Sequence, residues 1–416
     1  MSRSGKILGA LLFGLVLGAG VGANATTTAT GKTKRHPAGA AHVAATAKAR
    51  SGSSHSASVH KDSTRTVATT RVIGHHGARP RLAVRRTRYQ EHFSASSYAD
   101  NLTLGDVIDG EDPLVRAAAI EALGNMNGTA IAIDPSTGRI LAMVNQKLAL
   151  SRGAEPCSTI KLTVALAALE EGIVRKDTPV NLGGHYSLTM TDALAHSNNL
   201  YFETIGRQLG FERVKHYANE FGLGELAGYH IQGEQLGTYP DEVLPASLGG
   251  VGRMCSFGES VSMTPLQLGA LVSAIANGGT LYYLQHPETA VDVATFEPKV
   301  KRVLDIAPLI PESSVGMSGA VQYGTARSLR ANFSQFPVMG KTGTCSNNGT
   351  RFGWFGSFAD TPKGQIVTVF FLEGGRPTFG PKAAELTGEF YRALWNKDYF
   401  LQKTNVETSG VVGASE

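Results

Sequence analysis

Thr129-Ala130-Ile131-Ala132-Ile133-Asp134-Pro135-Ser136-Thr137-Gly138-Arg139-Ile140-Leu141-Ala142-Met143-Val144 reads as two strands around one turn. Thr129 to Ile133 and Arg139 to Val144 are rich in strand formers, and the Asp-Pro-Ser-Thr-Gly between them is turn chemistry. Just upstream, Asp112-Pro113 has the form of an N-cap and first helical residue, opening a helix to about Leu123. Downstream, helical character runs from Thr159 to Glu171, closed by Gly172. Further helices are expected at 189–209, 211–221, 264–277 and 312–330, and Ala276-Asn277-Gly278-Gly279 is a strong stop. Val338 to Thr344, Gly353 to Phe358 and Val367 to Leu372 then read as strands, and Lys382 to Trp395 as a closing helix. Strands at both ends with helices between them predict one α+β domain, its antiparallel sheet built from both ends of the chain.

Outside this core the composition changes. The 416 residues carry a net charge of +5, which conceals an asymmetry. Residues 1–25 hold only Arg3 and Lys6; residues 26–95 hold 13 Lys or Arg against Asp62 and Glu91. Taking +2 and +11 from the total of +5 leaves −8 for the remainder. The segment 26–103 lacks periodicity and has few large apolar residues, so it cannot offset its ordering entropy and is expected to be a disordered basic tether. It suits anionic membrane or wall polymers, and nucleic acid is not the expected partner. Its histidines, His75-His76 among them, lack regular spacing and read as composition rather than metal ligands. Before it, Arg3 and Lys6 precede an apolar stretch from Ile7 to Val21 and Ala23-Asn24-Ala25. This pattern predicts a signal peptide over 1–25, a retained anchor being the alternative. The rest of the chain is therefore expected outside the cytoplasm. Residues 104–400 are expected to form the folded domain and 401–416 a flexible tail.

Three short patterns carry chemistry. In Lys341-Thr342-Gly343-Thr344, placed at a strand end, the glycine permits close backbone approach. The lysine and hydroxyls offer charge and hydrogen bonds to a carboxylate. In Ser158-Thr159-Ile160-Lys161, the i, i+3 spacing on a helix sets a hydroxyl beside an amine. A lysine becomes a base for such a serine when burial or a nearby cation lowers its pKa. Ser197-Asn198-Asn199 adds a hydroxyl that can relay a proton and an amide that can hold a carbonyl. Each pattern alone is cheap: Ser58-Val59-His60-Lys61 repeats the first spacing in the tether, and Ser346-Asn347-Asn348 repeats the last. Order selects the set, since Ser197 lies between the other two motifs.

The ordered set SxxK, SxN, KTG resembles the transpeptidase domain of penicillin-binding proteins. The likeness extends to the hairpin from Ala132 to Val144, Leu200-Tyr201-Phe202, Phe221-Gly222-Leu223-Gly224, Thr264-Pro265-Leu266-Gln267, Gly316-Met317, Gly324-Thr325-Ala326 and Trp354-Phe355, spanning roughly 125 to 395. The resemblance implies a penicillin-binding/β-lactamase-like fold, an antiparallel sheet flanked by helices with an all-helical subdomain. It implies a serine D,D-transpeptidase that acts on peptidoglycan stem peptides ending in D-Ala–D-Ala and is acylated by β-lactams, with no cofactor and no metal. Ser158 would be the nucleophile, Lys161 its base, and Ser197 with Lys341 the proton relay. Asn199 would orient the substrate amide, and Thr342, Gly343 and Thr344 would bind the substrate. Backbone N–H groups of Ser158 and Thr344 would form the oxyanion hole. About 30 ordered residues precede the hairpin, where the family's monofunctional members usually have a large pedestal.

Of the cysteines Cys157, Cys255 and Cys345, the first and last flank the nucleophile and the KTGT strand. In the fold this resembles, those positions face each other, so a Cys157–Cys345 disulfide is expected in an oxidising compartment. The alternative activities are a D,D-carboxypeptidase or β-lactamase on the same scaffold and a non-turnover sensor. SNN in place of SDN disfavours a class A β-lactamase, and Asn199 in place of valine disfavours class D.

Overall fold

The computed structural model describes residues 91–401. The expected signal or anchor over 1–25, nearly all of the tether and the tail after Leu401 lie outside the described residues. Helix α1 (Pro113–Leu123) starts where Asp112 accepts from the amides of Leu114 and Val115, with Pro113 at the first position, satisfying donors the helix itself cannot. Strands β1 (Gly128–Asp134) and β2 (Arg139–Val144) form the expected hairpin. Between it and the last strands come α2 (Lys161–Glu170), α3 (Met190–Ala195), α4 (Asn199–Leu209), α5 (Phe211–Glu220), α6 (Gly250–Phe257), α7 (Pro265–Ala276) and α8 (Ile310–Gln322). Strands β3 (Val338–Asn347), β4 (Thr350–Thr361) and β5 (Gly364–Gly374) follow, then α9 (Gly380–Asn396). Two small two-stranded ribbons, not anticipated from the sequence, sit at 180–188 and 280–303.

The main sheet has the order β2-β1-β5-β4-β3, all antiparallel. Chain-terminal strands thus pair with the opening hairpin, as the α+β reading expects. Side chains alternate across the central strands. Trp354, Phe358, Val369 and Phe371 face a cluster with Leu268, Leu271 and Val272 of α7. Phe355, Ala359, Phe370 and Leu372 face one with Val115 and Ala119 of α1 and Phe390 and Leu394 of α9. A third cluster, Val164, Ala168, Leu194, Tyr201, Phe202 and Ile205, is formed by α2, α3 and α4 and is the core of the helical subdomain. β3 is the sheet's edge, and its free side faces that subdomain across the turn holding Ser158.

Four expectations need correction. KTGT is not at a strand end: β3 continues to Asn347, because Thr344 to Asn347 pair with Gly353 to Thr350 of β4. The helix expected over 189–209 breaks into α3 and α4, with Ser197 left-handed at φ 56° and Asn198 capping α4 through Tyr201 N–H. The helix expected over 312–330 ends at Gln322 and restarts over Ser328–Asn332. Between them Gly324 presses on the Ala195 carbonyl, where a Cβ would sit 2.1 Å from the oxygen. Finally, packing begins before Leu104. Ser94 N–H bonds to Gly349 O, Tyr98 pairs with Met126, and Ser97 is buried against the N–H of Gly375. Small polar residues dock there through backbone hydrogen bonds, which leave no apolar period to read.

Candidate active site

The Ser158 motif begins with a strained turn. Cys157 has φ 51°, a region that costs a non-glycine residue about 1–2 kcal/mol. Cys157–Ile160 is a tight 3-10 turn that runs into α2. Ser158 therefore precedes the α-helix expected to carry it, and the 3-10 geometry eclipses residues i and i+3. Lys161 Nζ lies 2.6 Å from Ser158 Oγ, 2.6 Å from the Ser256 carbonyl and 2.8 Å from Asn199 Oδ1. The rings of Phe202 and Phe257, 5.6 and 5.7 Å away, close the site around it.

Lys161 is fully buried. Burial first, and then the positive charge of Lys341, hold its pKa well below the usual lysine range against the opposing pull of Glu203. Once its proton is lost, the amine has two N–H donors and one lone pair. Its neighbours Ser256 O and Asn199 Oδ1 can only accept, so they take the two N–H groups. The lone pair is left for Ser158, whose O–H can donate. Ser158 itself is 8% exposed. The arrangement sets a serine hydroxyl against a buried amine that is able to act as a base.

A second cluster sits on the sheet edge. Lys341 Nζ donates to Ser197 Oγ at 2.8 Å and to Thr342 O at 2.9 Å. Burial pushes its pKa down to about 7. The break at Ser197 joins the two clusters: Ser197 turns to Lys341, and Asn199, two residues on, turns to Lys161. Thr342 and Thr325 hydroxyls meet at 2.6 Å, and Thr344 Oγ1 accepts from Gly380 N–H at 2.8 Å, leaving its O–H to donate. Gly343 is required by contact, since a Cβ there would lie 2.8 Å from Pro156 O, in the nucleophile turn. Beside it, Cys157 and Cys345 form a disulfide with Cα atoms 5.5 Å apart, while Cys255 is a buried free thiol pushed up to about 12 by burial. All ten residues singled out from the sequence thus gather at one seam between sheet edge and helical subdomain.

Sequence reasoning missed Ser256, whose contribution is a carbonyl, and Phe257. Thr325 was noted only as part of a family likeness. Among the described residues no group of three or more His, Cys, Asp or Glu could hold a metal ion.

The model of the penicillin binding protein transpeptidase domain matches residues 128–392. The chain belongs to that family. Stage V sporulation protein D of Bacillus subtilis is 31% identical over 258 residues, covering 52% of this chain and 39% of that protein. The Escherichia coli peptidoglycan D,D-transpeptidase FtsI is 24% identical over 303 residues, covering 64% of this chain and 50% of that one. The chain spans about half or less of the length of these curated relatives. Among solved structures, the D,D-transpeptidase domain of a peptidoglycan glycosyltransferase from Eggerthella lenta superposes with TM-score 0.54 at 21% identity, over 69% of this chain and 82% of that one. A peptidoglycan glycosyltransferase from Burkholderia ambifaria gives TM-score 0.58 at 20% identity, over 69% and 96%. At these identities the solved structures speak for the fold, which is the α+β transpeptidase fold of penicillin-binding proteins.

Proposed function

We propose that this penicillin-binding transpeptidase domain is a serine D,D-transpeptidase that cross-links peptidoglycan stem peptides ending in D-Ala–D-Ala and is acylated by penicillins at Ser158. The observation that carries the reading is the Lys161 amine, buried, short of proton affinity, and hydrogen-bonded to Ser158. Ser158 Oγ attacks the penultimate D-Ala carbonyl while its proton passes to Lys161 Nζ. The oxyanion that forms is held by the backbone N–H groups of Ser158 and Thr344, a contribution of roughly 3 kcal/mol per donor to the barrier. The C–N bond breaks as the leaving D-Ala nitrogen takes a proton through Ser197, which Lys341 supports. The ester on Ser158 is then opened by an acceptor amine, whose proton leaves by the same route. Asn199 aligns the substrate amide through its NH2, and the hydroxyls of Thr342 and Thr344 receive the terminal carboxylate.

The site is proposed to work outside the cytoplasm. The apolar stretch from Ile7 to Val21 reads as an export signal, the Cys157–Cys345 bond fits an oxidising compartment, and the basic segment suits anionic lipid or wall polymer.

Incubating the full chain with a fluorescent penicillin is expected to give a stable adduct that Ser158→Ala abolishes. A stem pentapeptide with an amine acceptor then yields the transfer product. Fast loss of the label, or release of D-Ala with water as the dominant acceptor, overturns transfer in favour of hydrolysis. Label that persists in Ser158→Ala removes the site altogether.

A further inference from the structure

Beyond Thr344 the cleft holds charges that the acylation chemistry leaves unused. A cavity of about 380 Å3 opens along the outer half of β3. It shares Thr344 and Cys345 with the active-site strand, and its charged lining is Glu91, Glu155, Arg253, Glu259 and Arg351. Arg253 is committed: its Nε donates to Glu259 Oε2 at 2.9 Å and its guanidinium lies 4.0 Å over the Phe257 ring. Arg351 stacks 5.7 Å from the Phe379 ring and donates to the Arg376 carbonyl. Glu155 differs. Its backbone carbonyl accepts from Trp354 Nε1 at 3.0 Å, which anchors the residue against the disulfide. Its carboxylate has no hydrogen-bond or ion-pair partner among the described residues. With Glu155 ionised, three carboxylates face two guanidiniums in this lining.

The path from the nucleophile to this cavity follows the fold. β3 is an edge strand, so an extended peptide can join its free side as one more strand. With the reacting carbonyl between Ser158 and Thr344, the residues upstream of it in the donor run past Cys345 toward Asn347. On that path a side chain from that part of the donor would reach the cavity, which shares Thr344 and Cys345 with the strand. There a half-buried, unpartnered carboxylate is costly to charge: burial, then Glu259, push the Glu155 carboxyl up to about 7 against the weaker pull of Arg253. A cation removes that cost.

We propose that Glu155 is a specificity-determining residue that selects acyl donors carrying an ammonium group on the side chain entering this cavity. The inference rests on the acyl-enzyme reading above.

Two donor peptides ending in Xaa-D-Ala-D-Ala test it, with lysine or Nε-acetyl-lysine at Xaa. The full chain, Glu155→Gln and Glu155→Asp are compared by kcat/KM for D-Ala release or, at slow turnover, by competition against penicillin labelling. Wild type is expected to prefer the free amine about tenfold. The ratio falls to near one in Glu155→Gln and stays above one in Glu155→Asp. It is internal to each variant, so losses common to both peptides cancel. A wild-type ratio at or below one, or an unchanged ratio in Glu155→Gln, overturns the selection while leaving the acyl-enzyme intact. Benzylpenicillin labelling separates the two failures: if wild type stays unlabelled at Ser158, the acyl-enzyme reading fails and the selection with it.

Discussion

Two buried polar clusters in this chain hold their cations in opposite ways. Near the opening hairpin, Arg116 donates to Asp106 at 2.7 Å and to Glu111 at 2.8 Å, and Glu111 also meets His286 Nε2 at 3.0 Å. At the cleft, Lys161 and Lys341 are fully buried, and among the described residues no carboxylate pairs with either. They are met by hydroxyls, an amide and backbone carbonyls. Burial acts against the charge of Arg116, but the hydrogen bonds of Asp106 and Glu111 outweigh it and its pKa rises. Burial of the two lysines is not outweighed in this way: Glu203 pulls only weakly against it at Lys161, and both pKa values fall. Depth alone therefore does not decide what a buried cation does. A paired one keeps its charge and ties elements together; one met only by neutral acceptors holds its proton more weakly, which suits it to act as a base.

The sharpest way to break this contrast is to remove one cation from each cluster. Lys161→Met is expected to slow penicillin acylation by about 10³-fold or more, the reach of a positioned base, in stopped-flow labelling. Its thermal unfolding is expected to change little, since a desolvated amine is replaced by an apolar chain of similar length. Arg116→Met reverses the pattern. It leaves Asp106 and Glu111 buried without their partner and is expected to cost about 3–5 kcal/mol in denaturant unfolding, with acylation per folded molecule close to wild type. Equal effects of the two variants on both measurements would erase the distinction.

A finer test uses pH. A lysine whose pKa is lower in the folded chain than in the unfolded one binds fewer protons when folded. Stability contributed through it therefore rises with pH between the two values. For Lys341 that window runs from about 7 up to the ordinary lysine value near 10.4, with a slope of at most about 1.4 kcal/mol per pH unit. Lys341→Met is expected to flatten the profile by that amount. An unchanged slope would mean that Lys341 stays charged in the fold. Acylation is expected to climb as pH rises through the lowered pKa of Lys161 and to level off above it, because the base must be neutral to accept the Ser158 proton.

Much of this was legible in the chain itself. The hairpin from Thr129 to Val144, the C-terminal strands and the three motifs follow from local pattern and order. The features that escaped are ones without a side-chain signature. Ser256 contributes a carbonyl, which any residue would supply. Ser197 needs a positive φ in a residue that rarely adopts it, so the stretch reads as a continuous helix. The Arg116 cluster joins Asp106 and Glu111 to His286, far apart in sequence, and nothing local marks the pairing. Glu155 was in plain view beside the nucleophile, but its isolation depends on Arg253 being taken by Glu259, a matter of tertiary packing.

The bond between Cys157 and Cys345 spans 188 positions, and every helix from α2 to α8 lies within that span. The subdomain is in effect a purse whose drawstring is tied at the mouth. A rearrangement within that loop would leave the Ser158 turn and the edge strand tied at Cys157 and Cys345.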